Sequence, residues 1–232
     1  MCTFLPMLFR MADAFDHWLS KKWGFHIGRM MIMINRIAMH CWNLKAGLYH
    51  PIRSLPLLRN LLCKEIRNLK MLIEKVSFQS VPVLDVGTGI GSTLGIFPDR
   101  VQVIGLDHSY VMLRKSRKRE NVIGVVGDGN HLPFQKCGFS FISAIGFTEY
   151  LSDTTLFLDE INRIIRPDGH FLVTIAPPGL FNFLRNLLGH RIYPIRTEDW
   201  EAMVTRRGFA CVGNCSTWLQ DQYLFSKKKL SN

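Results

Sequence analysis

From residue 81 onward short apolar runs, four of five closed by a glycine or aspartate, alternate with stretches at helical spacing. The runs cover 81–86, 101–106, 122–126, 139–145 and 170–175. Candidate helices lie between them, at 92–97, 110–120 and 154–166. Runs this short and this uniformly apolar suit strands buried on both faces, and helices between such strands make them parallel. Two later runs, near 209–215 and 222–226, are too close together for a crossover helix, so they pair antiparallel at one edge. The expected fold is therefore α/β: a Rossmann-like, seven-stranded, mostly parallel sheet with helices on both faces and an antiparallel edge strand.

The first run opens the most informative stretch, VLDVGTGIGS at 83–92. Asp85 lies in the strand, and Gly87, Gly89 and Gly91 follow at alternate positions. Glycines here allow a sharp turn and a close approach to a ligand, at the sheet edge where open α/β folds bind one. Asp107 ends the second run, where a carboxylate can accept both hydroxyls of a ribose. Asp128 ends the third in GDGNHLPF, 127–134, where an acid can accept from an adenine amine and Gly129 leaves room beside the ring. One acid alone reads as a turn or cap residue. Three acids at the ends of three consecutive strands, with a glycine turn, form one rim.

With these residues the sequence resembles the class I S-adenosylmethionine-dependent methyltransferases. More narrowly, it resembles the type 11 subgroup that includes the ubiquinone/menaquinone C-methyltransferases. The resemblance rests on VLDVGTGIGS, VIGLDHSYVML (103–113), GDGNHLPF and LDEINRIIRPDGHFLVT (158–174), and covers about 80–215. It implies S-adenosylmethionine as cofactor. Gly87, Gly89 and Gly91 would pass its methionine part, with Asp85 orienting the loop and the amino end. Asp107 would hold the ribose, and Asp128 with Gly129 would meet the adenine. Two positions depart from the pattern: Ser140 where Asp is common, and Asp168 in the turn before the fifth strand, where Gly is common.

Other readings are weaker. A nicotinamide site wants Gly at 92, where this chain has Ser92. Amine methylation of a base uses an Asn/Asp-Pro-Pro-aromatic motif after the fourth strand, where this chain reads SAIGFTEY, 143–150. A nucleic-acid methyltransferase and a non-catalytic cofactor-binding protein stay as alternatives, with nucleic acid disfavoured as a partner. Methyl transfer obliges no particular catalytic residue, because orientation and exclusion of water lower much of the barrier. None is assigned; the candidates for a base are His131, Glu149 and Tyr150. No metal site is expected. The apolar insert 177–196, with Phe181 and Phe183, reads either as core packing or as a lid over a greasy acceptor, with His190 and Tyr193 as polar contacts there.

Charge divides the chain. The net charge is +11, and residues 1–80 carry +8 of it against +3 for 81–232. Seven of the ten Met lie in the first 40 positions, interleaved with Trp18, Trp23 and Trp42. We therefore expect a basic amphipathic helical extension over 1–76, read as membrane anchor or active-site cap, and a methyltransferase domain over 77–232. Within the extension, Leu58, Leu62, Ile66, Leu69, Ile73 and Val76 mark a helix whose plain reading is packing on the sheet. Six cysteines without a CxxC pair read as reduced thiols. The opening residues lack a secretory pattern, and no apolar run is long enough to span a bilayer. The expected location is cytoplasmic, either free or peripheral on the membrane. The expected partners are a small lipophilic substrate, such as a quinone precursor or a lipid, and an anionic membrane surface through 1–76.

Overall fold

In the computed structural model, residues 56–78, 82–116, 121–187 and 192–229 are described, all within a unit running from 46 to 232. The expected leader helices over 1–50 and His190 lie outside them. The chain builds α1 (Pro56–Ile73), β1 (Val83–Val86), β2 (Val103–Asp107), α2 (Tyr110–Ser116), β3 (Val122–Val126) and β4 (Phe139–Ala144). Then come α3 (Thr155–Ile164), β5 (Ile165–Ile175), α4 (Leu180–Leu187), α5 (Thr197–Thr205), β6 (Phe209–Ser216) and β7 (Asp221–Lys227). Single 3-10 turns sit at Leu94–Ile96 and Thr148–Tyr150.

The seven strands form one sheet in the order β3-β2-β1-β4-β5-β7-β6. The first five are parallel; β7 runs antiparallel to both β5 and β6. The antiparallel pair thus closes one edge, as the short spacing between the last two runs requires. All four residues of β1 are buried, which is why its sequence is a continuous apolar run around one aspartate. Because β1 lies between β2 and β4, the strand order reverses beside it, and its carboxyl end opens on the crevice where such sheets bind ligands.

Alternating residues feed two cores. Phe171 and Val173 of β5, with Tyr223 and Phe225 of β7, join Phe157, Ile161 and Trp200 from α3 and α5 on one face. Leu172 and Leu224 join Leu69, Leu72 and Ile73 of α1 on the other. The helix assigned from sequence to the N-terminal extension therefore supplies part of the core. It is also pinned along the last hairpin. Glu65 accepts from Thr217 Oγ1 at 3.1 Å, its carbonyl accepts from Gln222 Nε2 at 3.2 Å, and Lys75 Nζ donates to the Val212 carbonyl at 3.3 Å.

Three elements differ from expectation. The helix expected over 92–97 is a single 3-10 turn, cut short between Gly91 and Pro98. β5 begins at Ile165 rather than His170, because Asp168 takes φ +60° and lets the chain bulge through Pro167-Asp168-Gly169 without leaving the sheet. α5 has no counterpart in the sequence reading; it buries only Trp200 and Val204.

Candidate active site

The rim begins at Asp85, fully buried at the end of β1. Its carboxylate accepts from Ser143 Oγ at 2.5 Å and from Thr88 Oγ1 at 3.0 Å. Burial pushes its carboxyl up to about 6; the two hydroxyls pull it down, and the nearby Asp107 adds a smaller push upward. Asp85 thus ties β1, the glycine turn and β4 together from below.

Asp107, buried at the end of β2, performs the next tie. One carboxylate oxygen accepts from the Gly89 N–H and the other from the Ser109 N–H, each at 2.8 Å. A carboxylate oxygen offers a second lone pair, so this side chain can also accept from two hydroxyls. The turn it holds is left-handed at Gly87 (φ +75°), Gly89 (+55°) and Gly91 (+79°). Only at Gly89 would a Cβ project into open space, its single near neighbour being the Gly87 carbonyl oxygen at 3.9 Å. Gly89 is therefore where the backbone lies bare to a ligand. Gly87 faces the ring of Phe147, and Gly91 faces Leu94 and Ser116.

Asp128 follows β3 on the surface, its side chain 61% exposed. It accepts from the Asn130 N–H at 3.0 Å and lies 3.2 Å from His131 Nδ1. His131 is 78% exposed and belongs with Asp128, not with the end of β4. Gly129 is buried, and a Cβ there would strike Phe147. The room expected beside a base is thus already taken on that side by a protein ring.

Glu149 and Tyr150 lie in the 3-10 turn after β4. Glu149 is buried, and both its oxygens are held by the Arg185 guanidinium from α4. Burial works against the charge on Arg185, but Glu149 and then Tyr150 outweigh it and hold the guanidinium above its ordinary value. Arg185 also donates to Asn182 Oδ1 at 3.1 Å, and Asn182 Nδ2 reaches the Pro177 and Leu219 carbonyls at 2.8 and 3.1 Å. The insert is therefore latched to the β4 turn and to the last hairpin. Four participants escape the sequence reading: Ser143, Phe147, Asn182 and Arg185. A lone arginine inside the apolar run of α4 was the one available signal.

The geometry offers a bare glycine turn, a buried carboxylate with lone pairs to spare for a diol, and an exposed acid on the next loop. That set can accept hydrogen bonds from a diol and an amine at the ends of β2 and β3, beside a turn that a ligand can approach closely. Residues 84–173 match the family model described as "Methyltransferase domain". The demethylmenaquinone methyltransferase of Thermotoga maritima is 30% identical over 128 residues, 53% of each chain. The fatty-acid O-methyltransferase of Mycolicibacterium smegmatis is 31% identical over 102 residues, 41% of this chain and 37% of that one. The chain spans about a third to a half of the length of these relatives. Among solved structures, magnesium protoporphyrin IX methyltransferase from Synechocystis PCC 6803, with bound SAH, superposes with TM-score 0.67 at 14% identity. That match covers 84% of this chain and all of the other, and shows the fold. Sheet order, rim and the match over residues 84–173 together make this part of the chain similar to the class I S-adenosylmethionine-dependent methyltransferases of the type 11 group.

Proposed function

We propose that the protein transfers a methyl group from S-adenosylmethionine to a small lipophilic acceptor, a quinone precursor or lipid-like molecule, at a membrane surface. When bound, the cofactor supplies a methyl group activated on a sulfonium. In this reading Asp107 accepts the ribose hydroxyls, Gly87, Gly89 and Gly91 pass the methionine part, and Asp85 braces the turn beneath the amino end. Asp128 and the backbone of the Gly129 loop meet the adenine, on the side that Phe147 leaves open. Glu149, with both oxygens on Arg185, serves to close α4 over the site rather than to remove a proton. Orientation and exclusion of water are then the chain's main contributions to rate.

The lipophilic acceptor is carried by one observation. Phe181 of α4 stacks on Trp218 in the last hairpin, ring centroids 5.7 Å apart and 10° from parallel. Trp218 is nonetheless 73% exposed and the neighbouring Leu180 69%. Both elements stand at the carboxyl edge, since Ile175, just before α4, pairs with Asp221, just after the hairpin turn. An exposed aromatic and leucine platform there marks an apolar contact surface. The named substrates of the two relatives above are lipophilic too. Among the described residues no helix is long and apolar enough to cross a membrane.

Titration calorimetry of the full chain with S-adenosylhomocysteine tests the reading. Binding is expected, with Asp107→Ala weakening it by about tenfold or more, as for loss of charge-assisted hydrogen bonds. No binding by the wild-type chain would sink the proposal. With labelled S-adenosylmethionine and cell extract, label is expected in the organic phase. Label in RNA would select the nucleic-acid alternative, and cofactor binding without transfer to any fraction would select a non-catalytic role.

A further inference from the structure

Two glycines of the rim stand on separate loops, Gly87 after β1 and Gly129 after β3, and both face one side chain. A Cβ on Gly87 would lie 2.6 Å from Phe147 Cδ2 and 2.8 Å from its Cβ. A Cβ on Gly129 would lie 2.5 Å from Phe147 Cζ and 3.0 Å from Cε1. The near end of the ring thus packs on the first loop and its far tip on the second. The ring has no easy retreat. On one side Gly146, at φ +65°, donates its N–H to Thr174 Oγ1 at 2.7 Å. On the other, Thr148 Oγ1 donates to the Thr174 carbonyl at 2.5 Å. The ring also packs on Phe157, centroids 5.2 Å apart.

We infer that Phe147 is a positioning residue for the cofactor: its ring is the spacer that sets the distance between the loop meeting the methionine part and the loop meeting the adenine. This rests on the methyltransferase reading. A ligand that bridges both loops needs their spacing held to a fraction of an ångström, whereas one held by a single loop does not. The same contact explains why position 129 is glycine. Gly129 is not among the left-handed glycines, so alanine there meets no backbone objection; it clashes with the Phe147 ring, while Val86 Cγ1 at 3.4 Å is in ordinary contact. Gly87, at φ +75°, would suffer both.

The test compares two probes by calorimetry: S-adenosylhomocysteine, which spans both loops, and methylthioadenosine, which lacks the amino-acid end. Phe147→Leu is expected to weaken the first by about tenfold and the second by no more than about threefold, with the melting curve still cooperative. Gly129→Ala is expected to lose homocysteine-conjugate binding, and Gly129→Ala/Phe147→Leu to recover it at least in part, because the clash is with that ring. Phe147→Met takes the place of the leucine variant if the latter does not fold. Equal affinities in wild type and Phe147→Leu, equal losses for both probes, wild-type binding by Gly129→Ala, or no recovery in the double variant would each overturn the inference. If the wild-type chain binds neither probe, the methyltransferase reading fails and the inference with it. If the wild-type chain binds both, any failure belongs to Phe147 alone.

Discussion

At the scale of single residues, Asp85 shows how site and stability pull apart. Its carboxyl, pushed up to about 6 by burial, binds more protons folded than unfolded between about pH 4 and pH 6. Its contribution to stability is therefore greatest in acid, declines as pH rises through that window, and stays low above it. The shift corresponds to about 3 kcal/mol. Glu160 works in the opposite sense, because Arg163 holds it below the ordinary carboxylate range, so wild-type stability alone mixes the two. Comparison with Asp85→Asn separates them. Relative to that variant, the wild type is expected to lose about 3 kcal/mol of unfolding free energy between pH 4 and pH 7, measured by urea titration at each pH. Parallel curves would contradict the burial argument. Aspartates closing apolar runs, with glycines at alternate positions, are visible in a linear sequence. Ser143, which holds Asp85 across 58 positions, is not, because that contact exists only once β1 and β4 are neighbours. The Phe147 contacts are hidden for the same reason.

At the scale of elements, strands buried on both faces announce themselves as continuous apolar runs, and β1 to β4 start and stop within two residues of expectation. α5 does not, because Glu198, Asp199 and Glu201 surround its only two buried residues and blur the helical period. α4 is legible as an apolar helix, but its attachment is not: Arg185 and Asn182 find their partners 36 and 37 positions away. That attachment can be cut. Arg185→Ala strands the buried Glu149 carboxylate, which in a fully buried pair costs about 3–5 kcal/mol. With Arg185 itself partly exposed, about 2 kcal/mol is expected. Hydrogen exchange over 180–187 should accelerate accordingly. Glu149→Gln should cost less, since the charge it leaves unpaired, on Arg185, is partly exposed and still donates to Asn182 Oδ1, and adding it to Arg185→Ala should recover part of the loss. Unchanged exchange in Arg185→Ala would show that the ion pair does not hold the helix down.

At the scale of the whole molecule, the open question is where the methyltransferase domain begins. The resemblance starts near residue 80, and the charge contrast invites a cut at 76/77. Packing argues otherwise. Leu69, Leu72 and Ile73 are buried against Leu172 and Leu224, and each such side chain stabilises by about 1.5–3 kcal/mol. Removing α1 would forfeit about 5–9 kcal/mol from a fold whose total stability is about 5–15 kcal/mol, and would bare the apolar face it covers. A protein of residues 77–232 is thus expected to aggregate or to melt without a cooperative transition, while residues 46–232 melt cooperatively by circular dichroism. The same pair of boundaries isolates the leader. Residues 1–45 hold six basic and two acidic residues together with Trp18, Trp23 and Trp42, a composition suited to an anionic interface. If they carry the attraction, the full chain floats with anionic vesicles and residues 46–232 do not. If both float alike, the exposed Phe181–Trp218 platform is the part of the molecule that meets the lipid. If neither floats, the acceptor reaches the site through solution.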